Sequence, residues 1–251
     1  MDVFTGLLHD ASERADAAAH HALSRRPEGW AVGPLVVADH RLTTIDGGGP
    51  ELAVSVFNRT GAGGLVALSR RRPGVWVVAV EMQLTDLDDL ARNAARVVTA
   101  AGSLPDGVEV YVTIPGAHGM VEAVETVEAA GLLARVDLSS GPFGYNSAEV
   151  MSVLVEADLP FKVAGTEADP LGRFGAAAVL MAVEALVDGA DADEAQALLA
   201  GRDGARMRTG LLRWDPAAQT RVRRRLRGVD CADLAGTLEA LGPAGLLDRP
   251  V

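Results

Sequence analysis

Lysine is nearly absent. Lys162 is the only one in 251 residues, and the other 22 of the 23 basic side chains are arginine. Arginine excess with abundant alanine, glycine and valine looks like a high-GC bacterial genome, which explains the missing lysines but not the one kept. Cysteine is equally scarce: Cys231 stands alone, so no intrachain disulfide can form, and a cytoplasmic location fits. Aromatic residues make up only 4%, which leaves alanine, valine and leucine to build the core. The N-terminal MDVFTGLLHDASERADAAAHH lacks a basic segment followed by an apolar one, so no signal peptide is expected. No apolar run approaches the ~18 residues needed to span a bilayer, which argues against a membrane partner. Positive charge is also short. A net charge of −11 and a pI near 4.9 argue against a nucleic-acid binder that neutralises phosphates. The five histidines form no HExxH or Cys/His cluster, so no metal or cofactor is expected, and no G-x-S-x-G elbow occurs.

What is present is an alternation of β-branched runs and alanine-rich segments. Strands are expected at 33–38, 52–58, 75–81, 108–114, 134–139, 161–165 and, more faintly, 226–230. Helix starts lie between them: Thr85 with Asp88, Gly119, Asn146 with Glu149, Asp191 with Glu194, and Asp215-Pro216. Residues 173–187 form an apolar helix, and RVRRRLR at 221–227 reads as a solvated helix end. Repeated βα units without a Pro/Ser-rich linker predict one α/β domain, with residues 1–30 as an N-terminal helical segment and 31–251 as the body. Six or seven strands predict an irregular or incomplete (β/α)8, TIM-like barrel; the alternative is a doubly wound open parallel sheet.

Side chains alternate across a strand, and this alternation carries the functional reading. The aliphatic sets of 108–114, 134–139 and 161–165 must face the helices. Tyr111, Thr113, Arg135, Asp137, Ser139 and Lys162 then face one interior, where charges must pair or line a hydrated pocket. Asp137 and Lys162, on adjacent strands, are the expected pair. Lysine, unlike arginine, loses its proton readily on burial and can form a Schiff base. Lys162, Asp137 and Glu81 are therefore the candidate catalytic residues, with Glu81 a strand-end acid or base. Arg135, Tyr111, Ser139, Arg173 and Glu167 are the candidate substrate-binding residues. Gly61, Gly63 and Gly64 depart from G-x-G-x-x-G, since position 66 is Val, and read as a βα loop; Gly47, Gly48 and Gly49 read as a turn. Cys231 reads as a buried structural thiol.

FKVAGT is similar to the lysine-bearing strand of class I aldolases such as deoxyribose-phosphate aldolase. Over 30–248, the order AVEMQL, YVTIP, ARVDLS, PFKVAG, RFGAAAVLMAVEAL and LRGVDCADLAGTLEALGPAGLL resembles a group of uncharacterised actinobacterial proteins. The resemblance implies a (β/α) barrel. The lysine strand of that group runs into a loop with paired histidines, where this chain has GTEADP. Its basic residues on the fifth strand are answered here by Arg135, with Asp137 acidic. Two functions follow. The first is a barrel binding a small anionic metabolite, as a lyase, aldolase or isomerase. The second is a non-catalytic barrel acting as an interaction or scaffold protein. Nothing in the sequence excludes a homo-oligomer.

Overall fold

The computed structural model describes residues 2–13, 16–45, 52–61, 74–139 and 147–248. Short runs rich in valine and leucine extend into strands, where β-branched side chains pack well on a pleated surface. The strands are β1 (Leu8–Asp10), β2 (Val32–Ala38), β3 (Leu52–Phe57), β4 (Val75–Gln83), β5 (Glu109–Thr113), β6 (Leu133–Asp137), β7 (Phe161–Ala164) and β8 (Leu226–Cys231). They pair in sequence order, all parallel, and β1 pairs with β8 to close the ring. The fold is a closed (β/α)8, TIM-like barrel. Closure excludes the open doubly wound sheet, and the barrel is complete. Its eighth strand is the LHD tripeptide, inside the segment expected to be helical.

Nine helices lie among the described residues: α1 (Ala17–Ser24), α2 (Leu90–Ala101), α3 (Met120–Ala129), α4 (Ser147–Glu156), α5 (Ala176–Val187), α6 (Ala192–Leu199), α7 (Gly204–Leu212), α8 (Pro216–Arg225) and α9 (Leu234–Leu241). Side-chain caps fix several starts. Asp191 and Glu194 form the expected capping box, and Asp215 caps α8 with Pro216 at its first position. The cap of α2 is Asp89 rather than Thr85, because its carboxylate accepts from Arg92 N. Gly47, Gly48, Gly49, Gly63, Gly64 and Asn146 lie outside the described residues.

Four helices, α5 to α8, fill the connection between β7 and β8. This explains the apolar AAAVLMAVEALV of α5, which is covered by α6, α7 and α8 and so needs little polar face. The basic run at the end of α8 is tethered as well as solvated: Arg223 donates to the carbonyls of Leu226 and Thr5 at the N-terminal end of the barrel. No helix among the described residues is long and apolar enough to cross a membrane. Alternate residues of β5 to β8 (Val110, Val112, Ala134, Val136, Phe161, Val163, Val229) join the apolar layer beneath the helices. The other set points into the barrel.

Candidate functional site

The inward set forms a charged network across the barrel. Lys162 Nζ lies 2.6 Å from Glu81 Oε1 and 2.6 Å from Asp230 Oδ1. Arg135 Nε lies 3.0 Å from Glu81 Oε2, and its Nη1 reaches Asp137 Oδ2 and Thr113 Oγ1, each at 3.2 Å. Ser55 donates to Glu81 Oε1 at 2.6 Å, while the Ser139 hydroxyl and backbone N–H both donate to Asp137 Oδ1. Glu81 and Lys162 are 0% exposed, Asp230 4% and Arg135 9%. Glu81 Oε2, Arg135 Nε and Asp230 Oδ1 make no well-aligned hydrogen bond, so charge attraction rather than directional bonding holds these contacts.

The neighbouring charges set the ionisation. Burial works against the charge of Asp230, but Lys162, then His9 and Arg135, hold its carboxyl well below the usual carboxylate range. Burial likewise opposes the charge of Asp137, and the Ser139 hydroxyl with Arg135 outweighs it and lowers the carboxyl. Burial disfavours the Arg135 cation too, yet Glu81, Asp230 and Asp137 raise its pKa. His9 goes the other way: burial, then Lys162, lower its pKa against the pull of Asp230, so it is neutral at pH 7. Its ring fits because two strands lack side chains there. A Cβ on Gly33 would stand 2.4 Å from His9 Cδ2, and one on Gly228 would stand 2.2 Å from His9 Cε1.

Above this network a cleft of about 1100 Å³ opens at the C-terminal ends of the strands. Glu81, Arg135, Asp137, Ser139 and Asp230 line its floor; Phe57, Asn58 and Arg59 line one wall. In a (β/α)8 barrel this end carries the active site. The wall is a fixed loop. Asp39 Oδ2 accepts from the backbone N–H groups of Arg59 and Thr60 and from Thr60 Oγ1, and buried Asn58 bonds Thr60 and the Gly61 carbonyl.

The expected residues divide between cleft, interior and rim. Glu81, Arg135, Asp137 and Ser139 meet at the floor. Lys162 lies one layer beneath, enclosed and absent from the cleft lining. The expected Asp137–Lys162 pair does not form. In the register of β6 against β7, Arg135 stands beside Lys162 and Asp137 stands higher, beside Ala164. Lys162 therefore pairs across the barrel with Glu81 and Asp230. Tyr111 is not a cleft residue either: it lies below, its ring 5.7 Å from Lys162 Nζ and its hydroxyl on Glu109. Burial, then Glu109, push its pKa up. Arg173 and Glu167 pair with each other at 2.9 Å, both about half exposed and outside the cleft lining. Cys231 is buried, and burial pushes its thiol up to about 12.

Sequence reasoning missed Asp230, His9, Ser55 and Phe57. Alternation in LRGVDC puts Gly228 and Asp230 on one face, and that signal was available once 226–230 was read as a strand. Ser55 and Phe57 share the inward face of β3 by the same rule. His9 had no such signal, because a three-residue strand shows no period. The chain matches no protein-family model, no curated protein and no solved structure.

Proposed function

We propose that the protein binds a small anionic metabolite in the cleft and moves a proton on it, as an isomerase or lyase does. One observation carries this reading: Arg135 and Asp137 stand two residues apart on β6, and both line the cleft floor. Arg135 Nη2 makes no hydrogen bond among the described residues, and Asp137 keeps 22% of its side chain exposed. Nη2 donates to a ligand carbonyl oxygen and polarises it. The Asp137 carboxylate takes a proton from the adjacent carbon, and the negative charge that develops on oxygen meets a guanidinium already held in place. Asp137 then returns the proton to a neighbouring carbon or to a leaving group. A ligand filling the cleft displaces water from Asp137, which strengthens it as a base.

An imine at Lys162 fits this geometry poorly, since the amine is sealed below the floor between two carboxylates. The same enclosure favours a second reading, a non-catalytic barrel serving as an interaction or scaffold protein, in which the network is structural. The test is a thermal-shift screen of anionic carbonyl metabolites, since a ligand of the native state raises its stability. NMR in D2O then follows exchange at the carbon beside the carbonyl. Exchange that D137N abolishes while binding persists supports proton transfer. A screen without ligands, or exchange that survives D137N, rejects it, and the former leaves the second reading.

A further inference from the structure

The floor is a poor seat for the ligand's own negative charge. Glu81, Asp137 and Asp230 set three carboxylates around the Arg135 guanidinium. A carboxylate or phosphate placed there would bring like charge against those three carboxylates. The Arg135 edge suits a neutral carbonyl oxygen better. An anionic ligand then needs a cation elsewhere in the cleft with its donors free.

Arg59 meets that need. It lines the wall, and its guanidinium makes no hydrogen bond or ion pair among the described residues; it packs over the Phe57 ring, whose centre lies 5.4 Å away. Arg41, also in the cleft, already donates Nη1 to the Glu13 carbonyl. Arg135 packs on the same Phe57 ring at 5.0 Å. Phe57 therefore ties the two guanidiniums together, and they stand no farther apart than the sum of those two distances. The backbone bearing Arg59 is fixed through Asp39, which accepts from Arg59 N at 3.0 Å and Thr60 N at 2.9 Å. Burial opposes the charge of Asp39, but the Thr60 hydroxyl and the N–H groups of Thr60, His40 and Arg59 hold its carboxyl below the usual range. The staple is intact at neutral pH.

We infer that Arg59 is the oxyanion-binding residue of the cleft. It takes the carboxylate or phosphate of a short ligand whose carbonyl end meets Arg135 and Asp137; this rests on the function proposed above. Inorganic phosphate and acetate probe the subsite alone, by isothermal titration at low salt. Phosphate or acetate binds the wild-type protein, and the stronger of the two identifies the ligand's anionic group. R59A weakens binding roughly tenfold or more, as expected for loss of a charge-assisted contact, and R59K weakens it less. Arg59 is exposed, so R59A leaves the fold intact, which circular dichroism verifies. Binding unchanged in R59A overturns the inference, as does wild-type protein that binds neither anion. Binding kept by R59A but lost in R135K moves the anion to the floor. The inference then fails while the proton-transfer reading, judged by the exchange assay, stands.

Discussion

Replacing Lys162 by methionine removes one charge and strands two. Its Nζ lies 2.6 Å from an oxygen of Glu81 and of Asp230. At an effective dielectric constant near 20, Coulomb's law gives about 6 kcal/mol for each contact, much of it offset by the cost of burying the ammonium itself. The net loss on removing one partner of a buried pair is ~3–5 kcal/mol, a large share of the ~5–15 kcal/mol that holds a typical domain. The loss depends on pH. In the wild type the Asp230 carboxyl is held below its ordinary value, so its contribution is present above pH ~4 and disappears only as pH falls through the lowered value. In K162M burial dominates and the folded-state pKa rises, so destabilisation is absent at low pH and grows as pH rises through the new value. The two residual carboxylates are not equal. Glu81 keeps Arg135 at 3.0 Å and Ser55, whereas Asp230 keeps only Arg135 at 4.0 Å and a neutral His9. D230N therefore rescues K162M more than E81Q does. Urea unfolding followed by the partly buried Trp30 and Trp214 reads these differences at pH 5.5 and 8. A deficit under about 1 kcal/mol that is flat with pH, or equal rescue by both substitutions, would refute the argument.

Three further outcomes follow from the same geometry. G228A sets a methyl into the His9 ring and costs ~1–3 kcal/mol, most of it recovered in the H9A/G228A double variant; additive losses in urea unfolding would contradict the contact. Stability falls as pH drops below ~6.5, because His9 is neutral when folded and the unfolded chain takes up the proton; in H9N this fall is smaller, and a second fall below pH ~4 follows from Asp137 and Asp230. Cys231, with its thiol pushed up to about 12 by burial, reacts with a disulfide reagent only at the rate of unfolding, so fast labelling in native buffer would show the site to be open.

The parts legible in the sequence are those written in side-chain periodicity. Seven strands carry enough β-branched residues to be read, and alternation alone places Arg135, Asp137 and Lys162 on the inward face. Alternation gives the face but not the height. Strands in a barrel are tilted and staggered, and the stagger puts Arg135, not Asp137, at the level of Lys162. Partners across the barrel are invisible for the same reason: Glu81 reads as an isolated strand-end carboxylate, and Asp230 passes unnoticed in a faint strand. The closing strand Leu8–Asp10 is too short to show any pattern, so residues 1–30 read as helical although they complete the ring.

That closure bears on how the protein is made. Its first strand, at residues 8–10, has its partner at 226–231, so a chain leaving the ribosome has no second neighbour for β1 until residues 226–231 have been synthesised. Until then the nascent sheet has two unpaired edges, the kind of surface that recruits other chains. Asp230 arrives with β8, so from the synthesis of Lys162 until that of residue 230 the amine has Glu81 as its one acidic partner in the network. Sealing the sheet and completing the charge network are one event, and a chain cut short before Leu226 forfeits both.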